Sequence, residues 1–159
     1  MDDSKVRKYC GVLNAFMSFR DGVPYNPAHV FTVEELLSVT PEQVVRYFNL
    51  KCFGVPDPTP EMRPTLGRSN TILFAKKAIS FFMPNKMETW SIRAASGNPT
   101  RSVVVNNFVK TIKRMEVRRQ GAPSQARRAL LAAEYESIIR ILRSSDDPIR
   151  RFLCPAFHM

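Results

Sequence analysis

"SVVVNNFVKTIKRMEVRRQG", residues 102–121, decides what kind of fold this chain adopts. Val103, Val104 and Val105 are β-branched in a row, which favours a strand. The stretch as a whole has a helical period instead. At 100° per residue, Val105, Phe108, Val109, Ile112 and Met115 fall within an arc of about 120°, with Lys110, Lys113, Arg114 and Arg118 opposite. The spacing predicts a helix over 102–119, stopped by Gly121. One face is made for a core and the other is cationic.

Helical signals continue on both sides. Val6, Tyr9, Cys10, Leu13, Phe16 and Met17 set a first helix over 4–20, ended by Asp21-Gly22. Thr32 with Glu35 and Thr40 with Gln43 have capping-box spacing, and Pro41 suits a first helical position. Residues 54–65 carry four prolines and read as a connector. The fourth helix, "SNTILFAKKAISFFM" (69–83), stops before Pro84. It sets Ile72, Ala75, Ile79, Phe81 and Phe82 to one side and Ser69, Lys76, Lys77 and Ser80 toward the other. An irregular stretch with Trp90 closes on "GNPT" at 97–100. Beyond the basic segment come a sixth helix, "LLAAEYESIIRILRS" (130–144), and a short one in "DDPIRRFLCPAF" (146–157). The expectation is all-α: a bundle of five helices over 1–120, a basic linker over 121–129, and a helical remainder over 130–159.

The charge is concentrated. The chain has 24 Lys plus Arg against 14 Asp plus Glu, a net +10. Residues 101–128 hold eight cations against Glu116 alone, which is +7 of that total. Such a block implies an acidic partner. Other classes recede. Cys10, Cys52 and Cys154 are odd in number and widely spaced, which argues against a disulfide scaffold or zinc module. The sequence has neither a signal-peptide pattern nor a membrane span, so an intracellular protein is expected, nuclear in a eukaryote. Phosphate-loop, H-E-x-x-H and G-x-S-x-G motifs are lacking, and the pairs Glu34-Glu35 and Asp146-Asp147 stand where helix starts favour carboxylates. Phe16, Phe19, Phe48, Phe81, Phe82 and Phe108 read as core rather than as stacking platforms. Cofactor, metal and small-molecule ligand are not expected.

The candidate contacts to a polyanion follow. Arg68, Ser69 and Asn70 stand at the start of the fourth helix, where free N–H groups and the dipole favour a phosphate; Asn70 also suits an adenine edge. Ser69 or Asn70 equally reads as a plain helix cap. Lys76, Lys77, Arg101, Lys110, Lys113, Arg114, Arg118, Arg119, Arg127 and Arg128 complete the set. Only Glu116 is available to lace the fifth helix with i,i+4 pairs, so its cations repel one another until an external anion arrives.

The phrases "VTPEQVVRYFNLKCFG", "GRSNTILFAKKAISFFMP" and "GNPTRSVVVNNFVKTIKRMEVRRQGAPSQARRALLAAEYESIIRIL" resemble the N-terminal core-binding domain of tyrosine recombinases. They are similar to the Crypton type found in eukaryotic mobile elements. The resemblance implies a SAM-like bundle that clamps duplex DNA, a basic linker, and a catalytic domain beginning at the sixth helix. It thereby links the chain to DNA recombination and integration. Arg127, Arg128, Leu130 and Glu134 match the family's linker junction, whereas Ala129 and Leu131 stand where Pro and Thr are usual. The family's catalytic Arg, Lys, His-x-x-Arg and nucleophilic Tyr have no match: Tyr135 falls too early, and His158 has no Arg three residues on. The expectation is double-stranded DNA binding without strand cleavage. The chain would be a truncated element protein or the amino part of a longer frame.

A second expectation belongs to a different class. Leu131, Tyr135, Ile138, Ile139 and Leu142 form an apolar stripe, so residues 130–157 suit self-association or protein docking. A basic amphipathic helix on a membrane fits less well, because the bundle needs the fifth helix's apolar face.

Overall fold

Local caps and apolar periodicity both act in the computed structural model, which describes residues 3–122 and 132–144. The chain divides into two compact units, Met1–Pro123 and Ser124–Met159. The first holds helices α1 (Asp3–Asp21), α2 (Val33–Leu37), α3 (Pro41–Phe53), α4 (Ser69–Phe82) and α5 (Val103–Val117), with a 3₁₀ turn at Pro99–Arg101. The second holds α6 (Ala132–Ser144). The fold is all-α. Two isolated bridges, Thr89 with Asn98 and Ser91 with Ser96, are the only β pairing among the described residues.

Both capping boxes form. Thr32 and Glu35 bond reciprocally at 2.7 and 3.2 Å, and Thr40 and Gln43 at 3.0 and 3.4 Å. At α5 the Ser102 hydroxyl accepts from the Val105 N–H at 3.2 Å. That cap commits the valine run to a helix. Of the three valines only Val105 is buried; Val103 and Val104 stay in solvent.

The core lies where α1, α3, α4 and α5 meet. Tyr9, Leu13, Phe16 and Met17 bury one stripe of α1. Tyr9 meets Phe74 and Phe81 of α4 edge-on, Phe16 meets Tyr47 of α3, and Phe48 lies against Phe108 of α5. Phe16 and Phe48 are fully buried, while Phe19, Phe82 and Phe108 pack against the core from its edge. Cys52 is buried among them, and burial, followed by the Glu116 charge, pushes its thiol up to about 12. The connector after α3 brings Gly67 against that helix. A Cβ there would lie 2.5 Å from the Lys51 carbonyl oxygen, so α4 starts tight on the end of α3.

The end of α5 departs from expectation. The helix stops at Val117, two residues short, and the left-handed position falls on Arg119 (φ 57) rather than on Gly121. Arg119 N–H donates to the Glu116 carbonyl at 3.0 Å and Gln120 N–H to the Met115 carbonyl at 2.8 Å. These are the paired bonds of a Schellman end with arginine in the glycine place.

In the second unit Ile139 is buried within α6 and Ile141 is 63% exposed. Arg127, Arg128, Leu131, the short helix expected over 146–157 and Cys154 lie outside the described residues, as do the side chains of Ile138 and Leu142. No helix among the described residues is long and apolar enough to cross a membrane.

Candidate nucleic-acid interface

The segment before α5 is organised by Asn98, a residue with no evident role in the sequence pattern. Asn98 is fully buried, and its amide bonds on every side. Nδ2 donates to Ser80 Oγ at 2.8 Å and to the Lys86 carbonyl at 3.1 Å; Oδ1 accepts from the Thr100 N–H at 3.0 Å and its hydroxyl at 2.8 Å. The "GNPT" phrase thus ties the end of α4, the loop at residue 86 and the 3₁₀ turn together. Gly97 is part of that tie. With φ 107 and a would-be Cβ 2.6 Å from the Thr89 carbonyl oxygen, the position admits no side chain.

This tie positions a cleft of about 940 Å³. Lys5 of α1, Lys76 and Lys77 of α4, Lys86 and Arg101 are among its lining residues, and no Asp or Glu lines it among the described residues. Tyr9, Leu73, Phe81 and Met87 supply apolar wall, and Ser80, Asn106 and the buried Thr100 also line it. Lys76 is half-buried and donates to Asn106 Oδ1 at 2.5 Å. Burial, and then the neighbouring Arg101 charge, hold its ammonium below the usual lysine range. Arg101 donates to the Met87 carbonyl at 3.1 Å, and Lys86 lies 4.6 Å over the Phe81 ring.

At the start of α4 the structure corrects the expectation from sequence. Ser69 is 5% exposed, not on the polar side, and its N–H and hydroxyl donate to the two Glu116 oxygens at 2.6 and 2.7 Å. Arg68 Nε lies 3.6 Å from the same carboxylate. The helix end that suited a phosphate already holds an anion, reached from α5. The plain-cap reading changes too: the N-cap residue is Arg68, without a side-chain cap bond, and Glu116 does the capping across the bundle. Asn70 is exposed in the first turn. Glu116 is therefore spent on α4 and does not lace the cationic face of α5.

On that face Lys110, Lys113, Arg114 and Arg118 are exposed, as is Arg119 beyond the helix end, while Val105, Val109 and Ile112 are buried opposite. The predicted division of α5 holds. The structure brings Lys76, Lys77 and Arg101 into one cleft, adds Lys5 and Lys86 to them, and removes Ser69. Neither addition has a local sequence signal, since each is a single lysine on a separate element. Among the described residues, the ion pairs are Arg20–Asp21, Arg46–Asp57 and Arg68–Glu116. None uses a cation of the cleft or of the exposed α5 face.

Comparison with family models, with curated proteins and with solved structures gives no significant match to this chain.

Proposed function

We propose that residues 1–123 form a duplex-DNA-binding domain of the SAM-like, core-binding kind found in tyrosine recombinases. The observation that carries this reading is the segregation of charge. Among the described residues, the paired carboxylates engage Arg20, Arg46 and Arg68, while Lys5, Lys76, Lys77, Lys86, Arg101, Lys110, Lys113, Arg114 and Arg118 make no ion pair. A fold that leaves these like charges unneutralised gains most from a partner bearing regularly spaced phosphates. Phosphate bonds of this kind position a protein on DNA with little choice of sequence, and Asn70, exposed in the first turn of α4, is the group suited to a base edge. Residues 1–159 include no counterpart of the resembled family's catalytic set, so the proposal is binding without strand cleavage or joining by these residues.

The test is duplex affinity against salt. With about six phosphates neutralised, log K should fall against log salt with a slope of roughly −5. Replacing Lys110, Lys113 and Arg114 by Ala should weaken binding and flatten the slope by about 0.9 for every phosphate left unneutralised, with helix content unchanged. Affinity that ignores salt overturns the reading, and an unaltered triple variant removes α5 from the interface.

A further inference from the structure

The cleft that Phe81 helps to line has more apolar wall than binding to a phosphate requires. A duplex presents phosphates and groove edges, and its base faces are stacked away inside the helix. Tyr9, Leu73, Phe81 and Met87 would meet nothing on such a partner, and the cleft's 940 Å³ exceeds what one phosphate group fills. An organic anion with one flat apolar part uses both kinds of lining. Phe81 is half-buried beneath the exposed Lys86 side chain and Met87 is 79% exposed, so a flat ring can take the place of Lys86 over Phe81 and lie along Met87. Lys76 and Arg101 stand together in the cleft with no carboxylate among its described lining residues to separate their charges. An anion between them relieves that repulsion.

We infer that this cleft is a binding site for a nucleoside monophosphate unit, its base against Phe81 and Met87 and its phosphate held by Lys76 and Arg101. Asn106, bonded to Lys76, lies beside the phosphate end, and its amide can serve the phosphate oxygens or the sugar. The shared chemistry has two sources: an unpaired nucleotide in a DNA strand, or a free nucleotide. The first rests on the DNA-binding reading; the second does not. Single-strand sites elsewhere work by the same combination of cations with an aromatic face.

The experiment uses the full chain and four probes: adenosine monophosphate, inorganic phosphate, an intact duplex, and the same duplex carrying one unpaired adenine. The expected result is at least about tenfold tighter binding of adenosine monophosphate than of phosphate, with amide shifts at Thr100, Arg101 and Asn106 in NMR. The duplex with the unpaired base should bind about tenfold tighter than the intact one if the strand is the source. Phe81→Leu, which keeps an apolar side chain against Tyr9, should erase both differences while leaving intact-duplex affinity within about twofold. Because Phe81 also packs in the bundle, the amide shifts of the unsubstituted chain stand as an independent measurement. Equal affinity for phosphate and adenosine monophosphate, together with no gain from the unpaired base, overturns the inference even where duplex binding holds. Failure of every duplex, with tight adenosine monophosphate binding intact, overturns the DNA reading and assigns the cleft to a free nucleotide.

Discussion

Glu116 shows how one side chain can reverse a reading made from local sequence. Its position on α5, amid Lys113, Arg114, Arg118 and Arg119, suggests the ordinary partner of a basic helix. Its carboxylate is 13% exposed and instead caps α4, 47 residues away in sequence. No pattern within α4 or α5 encodes that bond, because it depends on how the two helices cross. Removing the carboxylate leaves the Ser69 N–H and hydroxyl without their acceptor and Arg68 without its counter-ion. Glu116→Ala should therefore cost about 1–3 kcal/mol of stability, read as a lower melting temperature. Duplex affinity should hold or rise, since the substitution removes a negative charge and opens a helix N-terminus to phosphate. A variant as stable as the parent would mean that the two Ser69 bonds carry no net energy. Asn98 makes the same point from the loop side. Its neighbours Gly97 and Pro99 mark a turn, yet four bonds to three separate segments appear only once the chain is folded.

The helices themselves were largely legible, for reasons that differ from one to the next. α2 and α3 announce their starts through capping boxes, which are local and so are written in adjacent residues. α1, α4 and α5 are legible through burial period, because one face of each meets the same core. Ends are harder to read. At α5 the glycine that looked like the breaker lies two residues past the left-handed position, which Arg119 occupies. Placing a side chain there costs roughly 1 kcal/mol relative to glycine. Arg119→Gly should accordingly stabilise the bundle by about that amount and weaken duplex binding, since it removes an exposed cation. Opposite signs for the two effects, measured by chemical denaturation and by titration, would mark Arg119 as retained for charge at a cost in stability. Loss of stability would mean that the Schellman bonds depend on the arginine side chain.

Across the whole chain, the core and the proposed interface belong to one unit, and two of the candidate DNA-facing arginines belong to the other. Every member of the main hydrophobic cluster, from Leu13 to Ile112, lies within Met1–Pro123, and so does every residue lining the cationic cleft. The linker arginines Arg127 and Arg128 fall in Ser124–Met159. Their contribution is legible as charge alone, since charge needs no packed neighbour to be read from a sequence. These facts separate fold from affinity. A chain ending at Pro123 should melt cooperatively, with helix content proportionate to α1 through α5, because it keeps every described member of the main core cluster. It should still bind duplex DNA, with a salt slope shallower by about two for the two arginines removed. If residues 130–157 drive self-association, the shortened chain should also run as a monomer in size exclusion where the full chain does not. Failure to fold would show that the second unit supplies part of the first unit's stability. An unchanged slope would place Arg127 and Arg128 off the DNA, leaving the cleft and the exposed face of α5 to account for all of the salt dependence.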